Sequence, residues 1–258
     1  MRKKNCSYQS LLTDIPVVIL CGGKGTRMGC ENIPKPMFKI GTEPILWHIM
    51  KIYASFGIKK FILLLGYKKE KIKEYFLKQR EWDIKFVDTG IDTNTGERIK
   101  KAENFIESDF FFATYGDGLA DINLGGLLEF YLKHKKTAVL TSVRPYSQFG
   151  IMSIDSHTNI ITHFEEKPIL DHWVNGGFFV FGREVFNYIK DNDILEKDTL
   201  KRLVTHKQLT AYKHNGFWEC MDTYKDNLLL NDLWDTGKAP WAFWLRKKIP
   251  PRRQGEDV

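Results

Sequence analysis

Residues 17–37 read VVILCGGKGTRMGCENIPKPM. Val17–Leu20 is an apolar run of strand length. It ends in Gly22, Gly23 and Gly25, followed by Thr26 and Arg27 and then by Lys35 between two prolines. An apolar run bounded by glycines predicts a strand buried on both faces, as in parallel sheets covered by helices. Glycines permit a sharp bend and a close backbone approach, because no Cβ stands in the way. Exposed N–H groups in such a turn form a concavity for anions, and Arg27 and Lys35 add positive charge beside it. The blander alternative is a tight strand-to-loop turn; the two cations move the balance toward phosphate. A dinucleotide fingerprint fails at its third glycine, where Met28 stands and Gly29 comes one residue late. No P-loop string occurs.

Outward from this turn, apolar runs alternate with helical spacing. Strands are predicted at Val17–Leu20, Phe61–Leu65, Ile84–Val87, Phe110–Tyr115 and Ala138–Val143. Helices are predicted at Pro44–Phe56, Lys69–Gln79, Arg98–Phe105 and Leu124–His134. This rhythm predicts βαβ units and a parallel sheet. After Val143 it changes: a hairpin of Ile151–Ile154 and Ile160–Glu165, a strand at Phe178–Phe181, helices at Val185–Ile189 and Thr199–His206, a strand at Leu209–Lys213 and a helix at Lys225–Leu233. Residues 1–245 are read as one domain with an extension at 1–15, and 246–258 as a basic, disordered tail.

The chain has 258 residues, 43% of them hydrophobic, with a formal net charge of +7. Such a balance suits anionic partners. The charge gathers partly at the ends, where it reads as solvated tails, and no basic-and-aromatic interleaving marks a nucleic-acid binder. Cys6, Cys21, Cys30 and Cys220 form no C-x-x-C pair. No signal peptide and no apolar run of membrane-spanning length is found. A cytoplasmic protein with free thiols is expected.

Parallel sheets take ligands beyond the carboxyl ends of their strands. Gly22–Arg27, Gly66–Tyr67, Asp88–Gly90 and Asp117 all follow predicted strands and are expected at one edge. Asp117 lies between glycines in YGDG, and Asp222 lies in ECMDT before a helix. Two carboxylates far apart in sequence would suit one Mg²⁺ on a triphosphate. Taken singly, a turn residue and a helix N-cap are the better readings, with Thr223 competing for the cap. Lys167, after Glu166 and before Pro168, is expected to be extended and aimed at a second phosphate; a solvated strand-end lysine is the alternative. Asn175, with Gly176 beside it, suits a sugar hydroxyl or a turn. The histidines show no metal pattern, and no nucleophile elbow is present.

In order along the chain, CGGKGTR, PKPM, EPILWHIMKIYASFGIKKFILLLGYK, KEYF, VDTG…TGERIK, TYGDGLAD, FEEKP, NGGFFVF, GFWECMDTYKDN and LWDTGKAPW resemble the sugar-phosphate nucleotidyltransferases, and within them the glucose-1-phosphate cytidylyltransferase branch. The resemblance implies an α/β fold: a Rossmann-like, mostly parallel mixed sheet flanked by helices, with a small β-rich sugar-binding part and C-terminal helices. It implies that CTP and a sugar 1-phosphate give a CDP-sugar and diphosphate, with Mg²⁺, in a homo-oligomer that needs neither nucleic acid nor membrane. It assigns Gly22, Gly23, Gly25, Thr26 and Arg27 to the triphosphate loop and Lys35 to phosphate contact. Gly66, Tyr67, Thr95 and Arg98 fall around the nucleotide. Glu166, Lys167, Asn175 and Gly176 fall on the acceptor, and Asp117 and Asp222 on the metal. Arg27, Lys35 and Lys167 would be the catalytic cations. Two stretches, between Arg27 and Pro34 and between Phe76 and Asp88, are shorter than the resemblance leads one to expect, so a different acceptor and a different oligomer are alternatives.

Overall fold

The computed structural model describes residues 12–25 and 32–245. Strand β1 (Val17–Cys21) is buried except at Leu20. Beyond the glycine turn, a 3-10 turn at Lys35–Met37 leads into two short antiparallel strands, β2 (Lys39–Ile40) and β3 (Glu43–Pro44). Then come α1 (Ile45–Ala54), β4 (Lys60–Leu65), α2 (Lys69–Phe76), β5 (Asp83–Asp88), α3 (Thr95–Lys100) and β6 (Phe110–Tyr115). The chain continues through β7 (Gly118–Ala120), α4 (Leu124–His134), β8 (Ala138–Val143), β9 (Ile151–Ile154) and β10 (Ile161–Glu165). It ends with β11 (Val174–Gly182), α5 (Leu200–Thr205), β12 (Leu209–Lys213), β13 (Trp218–Cys220) and α6 (Tyr224–Asp235).

The central sheet has seven strands in the order β12-β8-β11-β6-β1-β4-β5. All its pairings are parallel except those of β11, which runs against both neighbours. The mostly parallel mixed sheet is therefore as expected. Side chains alternate between its faces, so each β1 residue joins one of two cores. Val17, Ile19 and Cys21 pack with Ile45, Ile49 and Ile52 of α1, Leu127 and Leu128 of α4 and Leu230 of α6. Val18 packs with Ile99 of α3 and Leu200 and Leu203 of α5. The sheet lies between two helical layers.

Chain order reverses at β1: β4 and β5 lie to one side, β6 to the other. The turn after β1 and Asp117 after β6 therefore face each other across a switch point, where open α/β sheets bind ligands.

Five predicted elements differ by more than small shifts at their ends. The helix expected at Lys69–Gln79 stops at Phe76. The helix expected at Arg98–Phe105 starts at Thr95 and stops at Lys100, with a 3-10 turn at Glu103–Phe105. Its early start is tertiary: the Gly96 and Glu97 N–H groups both donate to the Asp193 carbonyl. The strand expected at Phe178–Phe181 begins at Val174, because a bulge between Asn175 and Phe179 absorbs the glycines that read as a turn. Val185–Ile189 lies mostly in a 3-10 segment, Arg183–Tyr188. Helix α5 is preceded by a π-turn at Leu195–Thr199. The ribbon of β7 with β13 was not predicted.

Candidate active site

The turn after β1 is shaped by what stands behind it. Gly25 has φ +60°, and a Cβ there would lie 2.7 Å from the Lys35 Cβ. Its missing side chain lets Lys35 approach. Lys35 opens the 3-10 turn between Pro34 and Pro36, both of which restrict the backbone around it. Its ammonium donates to Asp117 Oδ2 at 2.7 Å and to Asp222 Oδ1. Burial pulls the Lys35 pKa down, but Asp117 and then Asp222 outweigh it and hold the value above the ordinary one. Thr26 and Arg27 lie outside the described residues.

The unpredicted ribbon brings the two aspartates together. Gly118 pairs with Cys220, and the Asp117 carbonyl accepts the Met221 N–H at 2.9 Å. Thr223 caps α6 and forms a capping box with Asp226. The Asp222 N–H also donates to Asp226 at 2.9 Å. The cap is thus supplied by Thr223, and the Asp222 carboxylate turns to Lys35 instead. The Cys220 Sγ and one oxygen each of Asp117 and Asp222 lie within 4.8 Å of one another. Burial and then Asp117 push the Cys220 thiol up. The two carboxylates are hard oxygen donors, a set that fits Mg²⁺, which takes one or two carboxylates and fills its remaining positions with phosphate and water oxygens. Cys21 and Cys220 are free thiols.

On the other side of β6 runs a second hydrogen-bonded chain. Thr95 Oγ1 donates to Glu196 Oε2 at 3.0 Å, and the Tyr115 hydroxyl donates to Glu196 Oε1 at 2.5 Å. Asn175 Nδ2 donates to the Tyr115 oxygen at 3.1 Å, and its Oδ1 accepts the Gly177 N–H at 2.9 Å. The Gly176 carbonyl accepts Trp218 Nε1 at 2.8 Å. Tyr115 and Glu196 were missed by the sequence reading. The π-turn that aims Glu196 has no periodic signature, although such turns gather at functional sites.

Glu166 and Lys167 form an ion pair of 3.6 Å on an exposed turn, apart from the Lys35 cluster. Lys167 has φ +49°, not the extended backbone expected before proline. The left-handed bend reverses the chain after β10, so that the Pro168 carbonyl accepts the Ser147 N–H at 2.8 Å. Proline disfavours the right-handed helical region for its predecessor, and the chain takes the left-handed alternative here.

Gly22, Gly66, Tyr67 and Arg98 converge below the turn. The Tyr67 N–H donates to the Gly22 carbonyl at 3.1 Å. Arg98 is 4% exposed. Its guanidinium donates to the carbonyls of Leu65 (3.3 Å), Gly90 (2.7 Å), Gly22 (3.2 Å) and Ile91 (2.9 Å), and to Thr89 Oγ1. A Cβ at Gly22 would fall 2.1 Å from the guanidinium, and one at Gly66 2.7 Å from it. Gly23 alone of these glycines opens onto free space.

The family profile described as nucleotidyl transferase matches residues 16–237. A Bacillus subtilis protein named probable glucose-1-phosphate cytidylyltransferase is 44% identical over 253 residues, covering 88% of this chain and 99% of that protein. A Salmonella typhimurium glucose-1-phosphate cytidylyltransferase is 41% identical over 256 residues, covering 88% and 98%. Because 88% of 258 residues is fewer than 253, the Bacillus protein has positions that face gaps here. Among solved structures, HddC from Yersinia pseudotuberculosis, complexed with GMP-PN, superposes with a TM-score of 0.69 at 24% identity, covering 85% of this chain and 99% of that one. The fold is shared with it.

Proposed function

Because the chain belongs to the nucleotidyl transferase family, we propose that it joins CTP to a sugar 1-phosphate, with glucose 1-phosphate as the leading acceptor, releasing diphosphate and a CDP-sugar. The observation that carries this reading is the Lys35–Asp117–Asp222 cluster beside the glycine turn, at the carboxyl edge of β1 and β6. The relatives' names supply CTP and glucose 1-phosphate.

A sugar phosphate is already an anionic nucleophile, so no general base is required. One of its oxygens bonds to the α-phosphorus of CTP while the bond to the β-phosphate oxygen breaks. The protein's task is to bring two polyanions together in line. Asp117 and Asp222 would hold a divalent cation, Mg²⁺ by the hardness of the donors. When bound, it neutralises charge on the transferring and leaving phosphates. Lys35 supplies a fixed positive charge at the same place. Glu166, Lys167, Asn175 and Gly176 would receive the acceptor, and Gly23, Gly25, Thr26 and Arg27 the triphosphate. The protein would act as a homo-oligomer in the cytoplasm, supplying an activated sugar for a surface polysaccharide such as an O-antigen or capsule.

The test is diphosphate release with Mg²⁺ across CTP, UTP, dTTP, ATP and GTP, each against a panel of sugar 1-phosphates. Release with CTP and glucose 1-phosphate is expected. Release with CTP and another acceptor would keep the mechanism and tie the short stretch between Phe76 and Asp88 to specificity. Release with no pair would refute enzymatic activity and favour a silent nucleotide-sugar binder.

A further inference from the structure

Arg98 is a buried cation without a carboxylate partner among the described residues. The acidic residues that act on it electrostatically, Glu97, Asp88 and Asp92, are each committed elsewhere. Glu97 pairs with Lys101 at 2.9 Å, Asp88 with Lys69 at 2.5 Å and Asp92 with Lys24 at 3.1 Å. A buried guanidinium held only by neutral acceptors is costly unless something else balances it.

Its acceptors have a pattern. Three loops follow three adjacent parallel strands, and each sends carbonyls to the same guanidinium: Gly22 after β1, Leu65 at the end of β4, and Gly90 and Ile91 after β5. A peptide unit is planar and trans, so the C=O of one residue and the N–H of the next point in opposite directions. The Leu65 carbonyl is fixed by the sheet, where it accepts the Thr89 N–H at 2.9 Å, and the Gly22 carbonyl is shared with the Tyr67 N–H at 3.1 Å. Drawing the Gly22, Gly90 and Ile91 carbonyls inward turns the amides of Gly23, Ile91 and Asp92 away from Arg98. The fork geometry of a guanidinium makes this possible, since one planar group serves several fixed directions. Glycine at 22 is required by Arg98 itself, because a side chain there would strike the guanidinium; at Gly66 a Cβ would meet the guanidinium and the Gly22 and Gly90 carbonyls alike, each at 2.7 Å.

We propose that Arg98 is a positioning residue: from beneath the turn it holds the Gly22, Gly90 and Ile91 carbonyls inward, so that the amides of Gly23, Ile91 and Asp92 face outward as a preformed cradle for a triphosphate. The proposal rests on the nucleotidyltransferase reading for the identity of the anion. Arg98 then works without touching it, and its buried charge is balanced by the anion on the far side of the backbone.

The test is titration calorimetry of the full chain with CTP and, separately, with inorganic triphosphate, on wild type, Arg98→Lys and Arg98→Met. Steady-state KM values for both substrates accompany it. Both variants are expected to weaken CTP and triphosphate tenfold or more. The KM for the sugar phosphate should stay within twofold, a split that general loosening would not produce. Wild-type affinity in Arg98→Lys would overturn the proposal, because charge without the fork would then suffice. Equal losses for both substrates would also overturn it. Should the Arg98 variants fail to fold, Thr89→Val removes one acceptor and leaves the charge. A threefold or greater loss of triphosphate affinity supports the proposal, and no loss overturns it. A wild type that binds triphosphate but not CTP keeps the cradle and removes the nucleotide reading; one that binds neither removes both.

Discussion

Lys35 lies between two carboxylates that would repel each other without it, and the three side chains come from distant parts of the chain. Asp222→Ala should lower turnover by about a hundredfold or more, of the order of 3–4 kcal/mol of transition-state stabilisation by analogy with other charged contacts. The fold should survive, because the Thr223–Asp226 box anchors α6 independently. Diphosphate release with a parallel thermal melt decides it, and wild-type rates would remove Asp222 from the metal. Lys167→Ala should raise the KM for the acceptor more than for CTP; the opposite order would move Lys167 to the nucleotide side. At this scale the sequence was partly legible. Lys35, Asp117 and Asp222 stood out by their glycine, proline and helix-start neighbours, but for each aspartate taken singly a turn or a cap was the better reading, and the resemblance supplied the metal role. The left-handed bend at Lys167 could not, since proline's influence on its predecessor excludes one region without choosing among the rest. Arg98 was recognised by its motif, but the motif does not say on which side of the backbone the side chain lies.

Strands β6, β8 and β12 and helix α4 have the bounds that their apolar patterning predicts. Each is long enough for a period to be counted. The ribbon of β7 and β13, three residues each, is too short to show one, and it is the ribbon that unites the acidic pair. Helix α1 carries a different kind of information. His48, fully buried, donates through Nε2 to the Ile40 carbonyl at 2.9 Å and accepts from Trp241 Nε1 at 3.4 Å. Burial, opposed by the Ile40 carbonyl and Glu43, pushes its pKa down from 6.5 to about 4. The unfolded chain takes up this proton near pH 6.5 and the folded chain only near pH 4. The stabilisation is full above pH 6.5 and is lost as pH falls toward 4, amounting to about 3 kcal/mol. Urea unfolding across that window should flatten in His48→Gln; an unchanged slope would mean that other groups govern the acid loss.

Across the whole molecule, two cores on either side of one sheet account for the positions of the loops, and the candidate site lies where the sheet changes direction. No helix among the described residues is long and apolar enough to cross a membrane. The described site draws on nothing beyond Asp226, and the last described packing is the 3-10 turn Phe243–Leu245. Ending the chain after Leu245 should therefore leave diphosphate release and melting temperature unchanged, and an inactive truncation would make residues 246–258 part of the machinery. The alternation of elements up to Val143 was legible because each βα step repeats one pattern. The reversal of β11 was not, since a buried strand reads the same in either direction. The acidic cluster also has a consequence in time. Lys35 and Asp222 are 187 residues apart. At ~5–20 residues per second, a ribosome needs roughly 10–40 s to travel between them. Through that interval the emerging chain has the turn after β1 but lacks its last carboxylate, so the acidic pair is completed only once residue 222 has been added.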